Sequence, residues 1–553
     1  MMSSALPQEI CLLLCEELAA RRDFGTLFNC SLVSRRVASI ALEQMYSIQE
    51  YSPVNAGDAI NKIEWLQLWR SIILSSIRKA AFPYCVYIRA LSLGNLEEFL
   101  QDISRDEYAR SIFFGGEMEP FLVLREGRNL SKNVKETQLP PINIQAIVVK
   151  CADSITKYIK SSADDTGTAI SLAHLEGTNI PHHILPTWIS RLATLTSLRI
   201  RDGSVLGVEA ASAISECCPQ FADLTYQSAT ADEDLAAFFQ TLRPNSLRSF
   251  EVISQNSVGE TALAALNAHG VSLRSLVLRN LAPQAMKSLN SLPDCTSLET
   301  LLIENDVFNS ADLTNYPEML KEVSVWICKC KSLRDLSFSN FIGSHPVIKD
   351  ILNSPNIRLT SLSIMYIYSG TEPDDTAIWT ALGRQDQLKS LTLGLHDHYP
   401  SILIEAKMPL VDSICQLKNM TSLNLMQVHL SEVKVGRIAA ELPNLAEFSF
   451  SGDLVHDSLL TSLRVPKLKL LCINSASVFT FQGLSEFTHG LTVPDQVGIK
   501  VDILNQLGER KLSPSEYDQL QTYFIENLGG RLEITYFMDP DELHEIDFSD
   551  ISD

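Results

Sequence analysis

Residues 273–281 read LRSLVLRNL, with leucine at the first, fourth and sixth places (Leu273, Leu276, Leu278). The same spacing returns in LTSLRI (Leu195, Leu198, Ile200), LETLLI (Leu298, Leu301, Ile303) and LKSLTL (Leu388, Leu391, Leu393). First places fall at 88, 118, 144, 169, 195, 221, 247, 273, 298, 333, 359, 388, 420, 445 and 468. From 118 to 298 they are 25 or 26 residues apart. One member is poor, because His174 takes the third apolar place after Ala169 and Leu172. Alternation at the end of each motif predicts a strand with one buried side. Segments between the motifs, such as ETALAALNAHG (260–270), PQAMKSLNSLPDC (283–295) and MPLVDSICQLKN (408–419), carry apolar residues at helical spacing and predict a short helix.

A period near 26 with this apolar spacing resembles the leucine-rich repeat. The resemblance implies an α/β fold: a curved solenoid with parallel strands inside and helices outside, about 15 irregular units over residues 87–490. No single unit covers its own apolar side, so neighbours must stack into one core. Steps of about 4.8 Å between strands give an inner edge of roughly 65 Å. The family places Asn or Cys at the ninth position, where this chain has Leu281, Asp306, Phe341 and Ile367. Asparagine comes one place early, at Asn95, Asn280, Asn305 and Asn340.

Composition narrows the function. A net charge of −21, from 45 basic and 66 acidic residues, argues against nucleic acid or an anionic membrane as the main partner. Twelve cysteines are scattered without a CxxC pair, as expected of reduced, buried thiols. The run Leu12–Leu14 is flanked by Glu9, Glu16 and Glu17, which is unlike a signal peptide, and no apolar stretch approaches a membrane span. A soluble protein of the cytoplasm and/or nucleus is expected. There is no GxxxxGK, GxSxG or HExxH motif, and no cofactor is called for. His396 and His398 form an HxH pair without a third ligand at diagnostic spacing, so no metal site is expected.

The polar side of the strands is the natural place for a protein target. Small residues such as Ser197, Ser249, Ser275 and Thr300 dominate it, interrupted by Arg199, Arg201, Arg279 and Glu304. The three arginines would suit an anion. Stretched units at 298–333, 359–388 and 388–420 predict loops, which bring Tyr366, Tyr368, His396 and His398 into the candidate set.

The N-terminus is of another kind. Ile10, Leu14 and Leu18 fall at i, i+4 and i+8, Asp23 and Gly25 break the run, and Ser34 can start a third helix. Three helices in about 45 residues bury too little to be stable alone and must dock on something. Leu6–Pro7–x–Glu9–Ile10 followed by Leu27–x–x–Cys30–Ser31–Leu32–Val33–Ser34–Arg35 resembles the F-box. Through this module, target receptors join the Skp–cullin–F-box ubiquitin ligase. The resemblance covers residues 1–50 and implies that Leu6, Pro7, Ile10, Leu14, Leu27, Cys30, Leu32, Val33, Ser34 and Arg35 bind a Skp-type adaptor, and through it the cullin. The closing Lys/Arg–Trp and Leu–Trp of the family are missing. Arg35–Arg36–Val37 and Met45–Tyr46 stand there instead, which bears on how the third helix packs.

Residues 51–86 are expected to form a helical linker that caps the repeats, with Trp65, Trp69, Ile72, Ile73 and Ile77 at helical spacing. Residues 491–537 are expected to cap the far end, with a helix from Ser513 or Ser515 to Gly529 and a strand in RLEITYFM. Residues 538–553 form an acidic tail. The expected function is a non-catalytic receptor that holds a protein target for ubiquitin transfer. A scaffold acting outside the ligase and a plain leucine-rich binding module are the alternatives.

Overall fold

A computed structural model describes residues 6–52, 61–125, 140–167, 169–228, 231–254, 256–368, 372–396, 408–491, 496–506 and 512–537; for 366–368, 372–375, 395–396 and 453 the backbone alone is described. The chain divides into two compact units, Met1–Leu273 and Arg274–Asp553.

The first unit opens with α1 (Gln8–Ala20), α2 (Phe24–Ser31) and α3 (Arg35–Ser47). Short polar side chains set the two later helix starts. The Asp23 carboxylate accepts from the Thr26 amide at 2.9 Å and the Ser34 hydroxyl from the Val37 amide at 3.3 Å. Cys15, Ala19, Leu27, Ile40 and Ala41 form the core where the three helices meet.

The C-terminal half of α3 stays on the bundle core through Ala41 and Met45 and also packs on the helices that lead into the repeats. Tyr46 is buried, stacks on Tyr84 at 4.6 Å and shares a 2.6 Å hydrogen bond with Ser71. Burial pushes its phenol up to about 12. Next come α4 (Lys62–Ser76), α5 (Tyr84–Tyr87), β1 (Ala90–Ser92), α6 (Leu93–Ile103), α7 (Glu107–Phe114) and α8 (Ile144–Thr166). Trp65, Trp69, Ile72 and Ile73 of α4 are buried. Trp65 meets Phe99 edge-on at 5.2 Å, and Phe99 meets Phe113 at 5.0 Å, so aromatic rings join α4, α6 and α7. Ile147, Cys151, Ile155 and Ile159 line one stripe of α8.

Then the repeats take over. β2 (His174–Gly177), β3 (Ser197–Asp202), β4 (Asp223–Ser228) and β5 (Ser249–Val252) follow β1 in chain order, each parallel to the last. Leu91, Leu175, Leu198, Leu224 and Phe250 stand side by side across them, all buried.

The second unit repeats the arrangement with β6 (Ser275–Leu281), β7 (Thr300–Asn305), β8 (Asp335–Ser339), β9 (Ser361–Tyr368), β10 (Ser390–His396), β11 (Ser422–Leu430), β12 (Glu447–Val455), β13 (Leu470–Ser477), β14 (Lys500–Asn505) and β15 (Arg531–Tyr536). Its buried row runs Leu276, Leu301, Leu336, Leu362, Leu391, Leu423, Phe448, Leu471, Val501 and Leu532. A helix follows most strands, as at Pro317–Cys328, Met408–Gln416 and Glu432–Glu441. The architecture is α/β of the leucine-rich-repeat type, preceded by a three-helix N-terminal region.

Several expectations are corrected. The units placed at 118 and 144 are a 3₁₀ helix (Gly116–Phe121) and α8. An apolar pair three residues apart suits a helix as well as this repeat, so Met118 with Phe121 and Ile144 with Ile147 mimicked it. The unit placed at 169 starts three residues later, with Leu172 and Leu175 buried and His174 exposed at the head of β2. Residues 491–537 contain the expected helix (Pro514–Leu528, capped by Ser513) and the expected strand, β15, and add the unexpected β14; both strands continue the same parallel ladder. Gly498 and Gly529 take the first place of those two units, at φ 78° and 58°.

The early asparagines end the strands. Asn280 and Asn340 adopt left-handed backbone, φ 55° and 53°, which asparagine tolerates better than most residues. The Asn305 amide donates to the Ala311 and Asn340 carbonyls at 3.2 Å, and the Asn340 amide donates to the Asp306 carbonyl at 3.1 Å and to Ser310 Oγ. Asn505 holds Ser477 by its backbone in the same way. Asn95 has no such part, because it lies within α6.

Candidate functional site

Two places in the first unit concentrate exposed chemistry. The first is the outer side of the bundle. Cys11, Cys15, Leu18 and Ala19 of α1 turn inward to the core. Ile10, Leu13 and Leu14 turn outward and are exposed, together with Leu6 just before the helix. Phe28 of α2 and the α2–α3 turn continue the patch, with Leu32 69% and Val33 72% exposed. An apolar surface of this extent on a helical bundle marks an interaction face.

The residues expected to meet an adaptor do not all lie there. Leu6, Ile10, Leu14, Leu32 and Val33 do. Leu27 does not: at 0% exposure it is the centre of the bundle core, so it holds the helices together and touches no visitor. Cys30 is partly buried against that core. Pro7 precedes α1 and its carbonyl accepts from the Cys11 amide at 3.1 Å, while Ser34 caps α3 and exposed Arg35 begins that helix. Leu13 and Phe28 join the face without having been expected. The signal was available in Leu12–Leu13–Leu14, since a helix that buries one stripe cannot hide three consecutive leucines.

The second place is a cleft of about 430 Å³ at the C-terminal ends of the first strands, walled by α6. Arg199 and Arg201 of β3 enter it, exposed, alternating with buried Leu198 and Ile200. Glu97 and Glu98 of α6 and Glu176 of β2 line it too. Arg201 donates from Nε to Gln227 Oε1 at 3.1 Å. Glu97 accepts from the Thr178 hydroxyl, and Glu176 accepts from the Ser92 hydroxyl at 2.8 Å. Among the described residues neither the Arg199 nor the Glu98 side chain has a hydrogen bond or ion pair, although Glu176 and Arg199 are register partners across β2 and β3.

The remaining candidates lie in the second unit. Arg279 of β6 pairs with Glu304 of β7 at 3.7 Å, so these two satisfy one another and the arginine is not held ready for an anion. Tyr366 and Tyr368 lie on β9. His396 ends β10, where its backbone is the register partner of Tyr368. His398 falls outside the described residues. Among the described residues no group of three or more His, Cys, Asp or Glu could hold a metal ion, and no helix is long and apolar enough to cross a membrane.

The chain matches no family model and no curated protein. It is similar to solved structures. A chain from the crystal structure of the yeast Rad7 and Elc1 complex is 16% identical over 58% of this chain and 83% of its own, with a TM-score of 0.36. An internalin (InlF) from Listeria monocytogenes is 15% identical over 59% of this chain and 79% of its own, at 0.33. A chain from the TLR13–ssRNA13 complex is 13% identical over 62% of this chain and 44% of its own, at 0.27.

Proposed function

We propose that this chain is the target-recognition subunit of a Skp–cullin–F-box ubiquitin ligase, without catalytic chemistry of its own. The observation that supports this most is the two-sided bundle. One side is committed to its own core and to Tyr84 and Ser71, while the other presents Leu6, Ile10, Leu13, Leu14, Phe28, Leu32 and Val33 to solvent. A stable domain gains nothing from that exposure, so the face is reserved for a Skp-type adaptor and, through it, the cullin. The repeats hold a protein target on their polar strand face, in the cytoplasm and/or nucleus. The contribution to chemistry is proximity: a tethered target meets the ubiquitin-charged enzyme at high effective concentration.

Co-expression with a Skp adaptor tests the reading. The triple variant L6A/P7A/I10A is expected to lose adaptor capture and to keep the thermal unfolding of the repeats. Capture at the wild-type level by that variant overturns it.

A further inference from the structure

We propose that the cleft beside α6 binds an extended peptide segment of the target that carries an acidic–basic–acidic triplet. This deepens the reading of the chain as a target-recognition subunit and rests on it. The two acidic side chains meet Arg199 and Arg201, and the basic one between them meets Glu98.

The charges left free in the cleft dictate the triplet. Glu97 and Glu176 already accept hydroxyl hydrogen bonds from Thr178 and Ser92. Arg201 has given only its Nε, to Gln227, so its terminal nitrogens stay available for the forked contact that guanidinium makes with carboxylate. Arg199 and Glu98 are uncommitted among the described residues. The groups with donor or acceptor capacity wholly uncommitted are thus the Arg199 guanidinium and the Glu98 carboxylate, joined by the terminal nitrogens of Arg201, while Glu97 and Glu176 keep their charge beside them.

Spacing then arranges the ligand. Arg199 and Arg201 are two residues apart on one side of β3, roughly 7 Å at about 3.3 Å per residue. An extended peptide has the same repeat, so its alternate side chains meet the two guanidinium groups one to one. The residue between them projects the other way, and Glu98 on the α6 wall of the same cleft, unpartnered among the described residues, is the charge left for it. Its complement is Lys or Arg.

The same census argues against a phosphorylated ligand. Two arginines face three carboxylates, Glu97, Glu98 and Glu176, so the cleft carries a net charge of −1 (2 − 3). A phosphate of about −1.5 to −2 would be drawn by the arginines and repelled by the rest. A triplet of net charge −1 spreads its negative charge as single carboxylates, each forked on one arginine, with a cation on Glu98, so less of it meets Glu97 and Glu176 at any one point.

The test uses the purified full-length chain and fluorescence anisotropy. The probe is a labelled nonapeptide, Ser-Gly-Gly-Glu-Lys-Glu-Gly-Gly-Ser; the comparators are its Lys-Glu-Lys inverse and a version with one phosphoserine in place of the triplet. Wild type is expected to favour the Glu-Lys-Glu probe over both by at least about tenfold, and R199A/R201A to lose that binding by a similar factor. The charge-reversed R199E/R201E/E98K variant is expected to favour the Lys-Glu-Lys peptide, an outcome that misfolding cannot mimic. No measurable binding of the probe to wild type, equal binding by R199A/R201A, or tighter binding of the phosphoserine peptide each overturns the proposal. Adaptor capture by R199A/R201A, expected at the wild-type level, separates this result from the test of the ligase reading.

Discussion

Helix α1 and strand β7 are both rich in leucine, and they spend it differently. In β7 burial alternates along the strand, and Leu301, Ile303 and the Asn305 side chain are all covered. In α1 only Cys15 and Ala19 are buried, while four exposed residues (Ile10, Leu12, Leu13 and Leu14) carry apolar surface into water. A repeat supplies its own cover because every unit has a neighbour of the same kind. A bundle of three short helices has no further copy to lean on. Apolar surplus in such a bundle therefore stays on the surface, where it fits the proposed partner, whereas the same composition in a repeat is covered by stacking.

The sharpest way to break this comparison is to truncate one leucine from each class within the bundle. Leu27→Ala is expected to cost about 2–5 kcal/mol of bundle stability, and Leu32→Ala to stay within about 0.5 kcal/mol while weakening adaptor capture. Denaturant unfolding with hydrogen exchange over residues 8–47 reads both. Equal losses would mean that the outer face is not free.

In the repeats, the strand-end asparagines come next. Asn340→Ala removes buried hydrogen bonds and places alanine at φ 53°, an expected loss of about 2–3 kcal/mol. Asn340→Gly keeps the backbone at ease and should recover part of that. If alanine and glycine are equally damaging, the left-handed turn is not what asparagine is there for.

At the seam between bundle and cap, Tyr46→Phe deletes the hydrogen bond to Ser71 but keeps the stack on Tyr84, and about 0.5–1.5 kcal/mol should go with it. A double-mutant cycle with Ser71→Ala isolates that bond.

The mildest effect is one of pH, and it belongs to the repeats. His269 is fully buried, its Nδ1 accepting from the Leu247 amide at 3.4 Å and its Nε2 donating to the Phe239 carbonyl at 3.2 Å. Only the neutral ring does both. Burial lowers its proton affinity below the ordinary 6.5, against the opposing pull of the Phe239 carbonyl. As pH falls the unfolded chain takes up the proton first, so stability present above about pH 6.5 is lost below it. His269→Gln should flatten that part of the stability profile in the repeats and leave the bundle's unchanged.

Much of this was legible in the primary structure, for reasons the particular residues make plain. Each of the motifs starting at 195, 221, 247, 273, 298, 333, 359, 388, 420, 445 and 468 has its strand beginning two residues on. The third apolar place is not decisive by itself, because Val123 and Val149 fill it for the starts at 118 and 144, which are helical. Where that place was weak the register failed, as at Ala169. Where glycine replaced the leading leucine, as at Gly498, the strand went unseen. The residues of the N-terminal motif were legible as a group through motif order, but inward and outward members could not be told apart. Leu27 and Leu32 read alike until the helices are packed. The cleft was half legible: Arg199 and Arg201 stood out, whereas Glu98 comes from α6, a helix that periodicity did not set apart.

The joint between bundle and repeats has a mechanical consequence. Gln49, just past α3, donates its buried amide to the carbonyl of Ala90 in the first strand at 3.0 Å, a few residues from the locked ring of Tyr46. Any swing of this shoulder has to break a buried hydrogen bond and an aromatic stack. In the proposed assembly it acts as a gauge, setting the height at which cargo hangs from the machinery that modifies it.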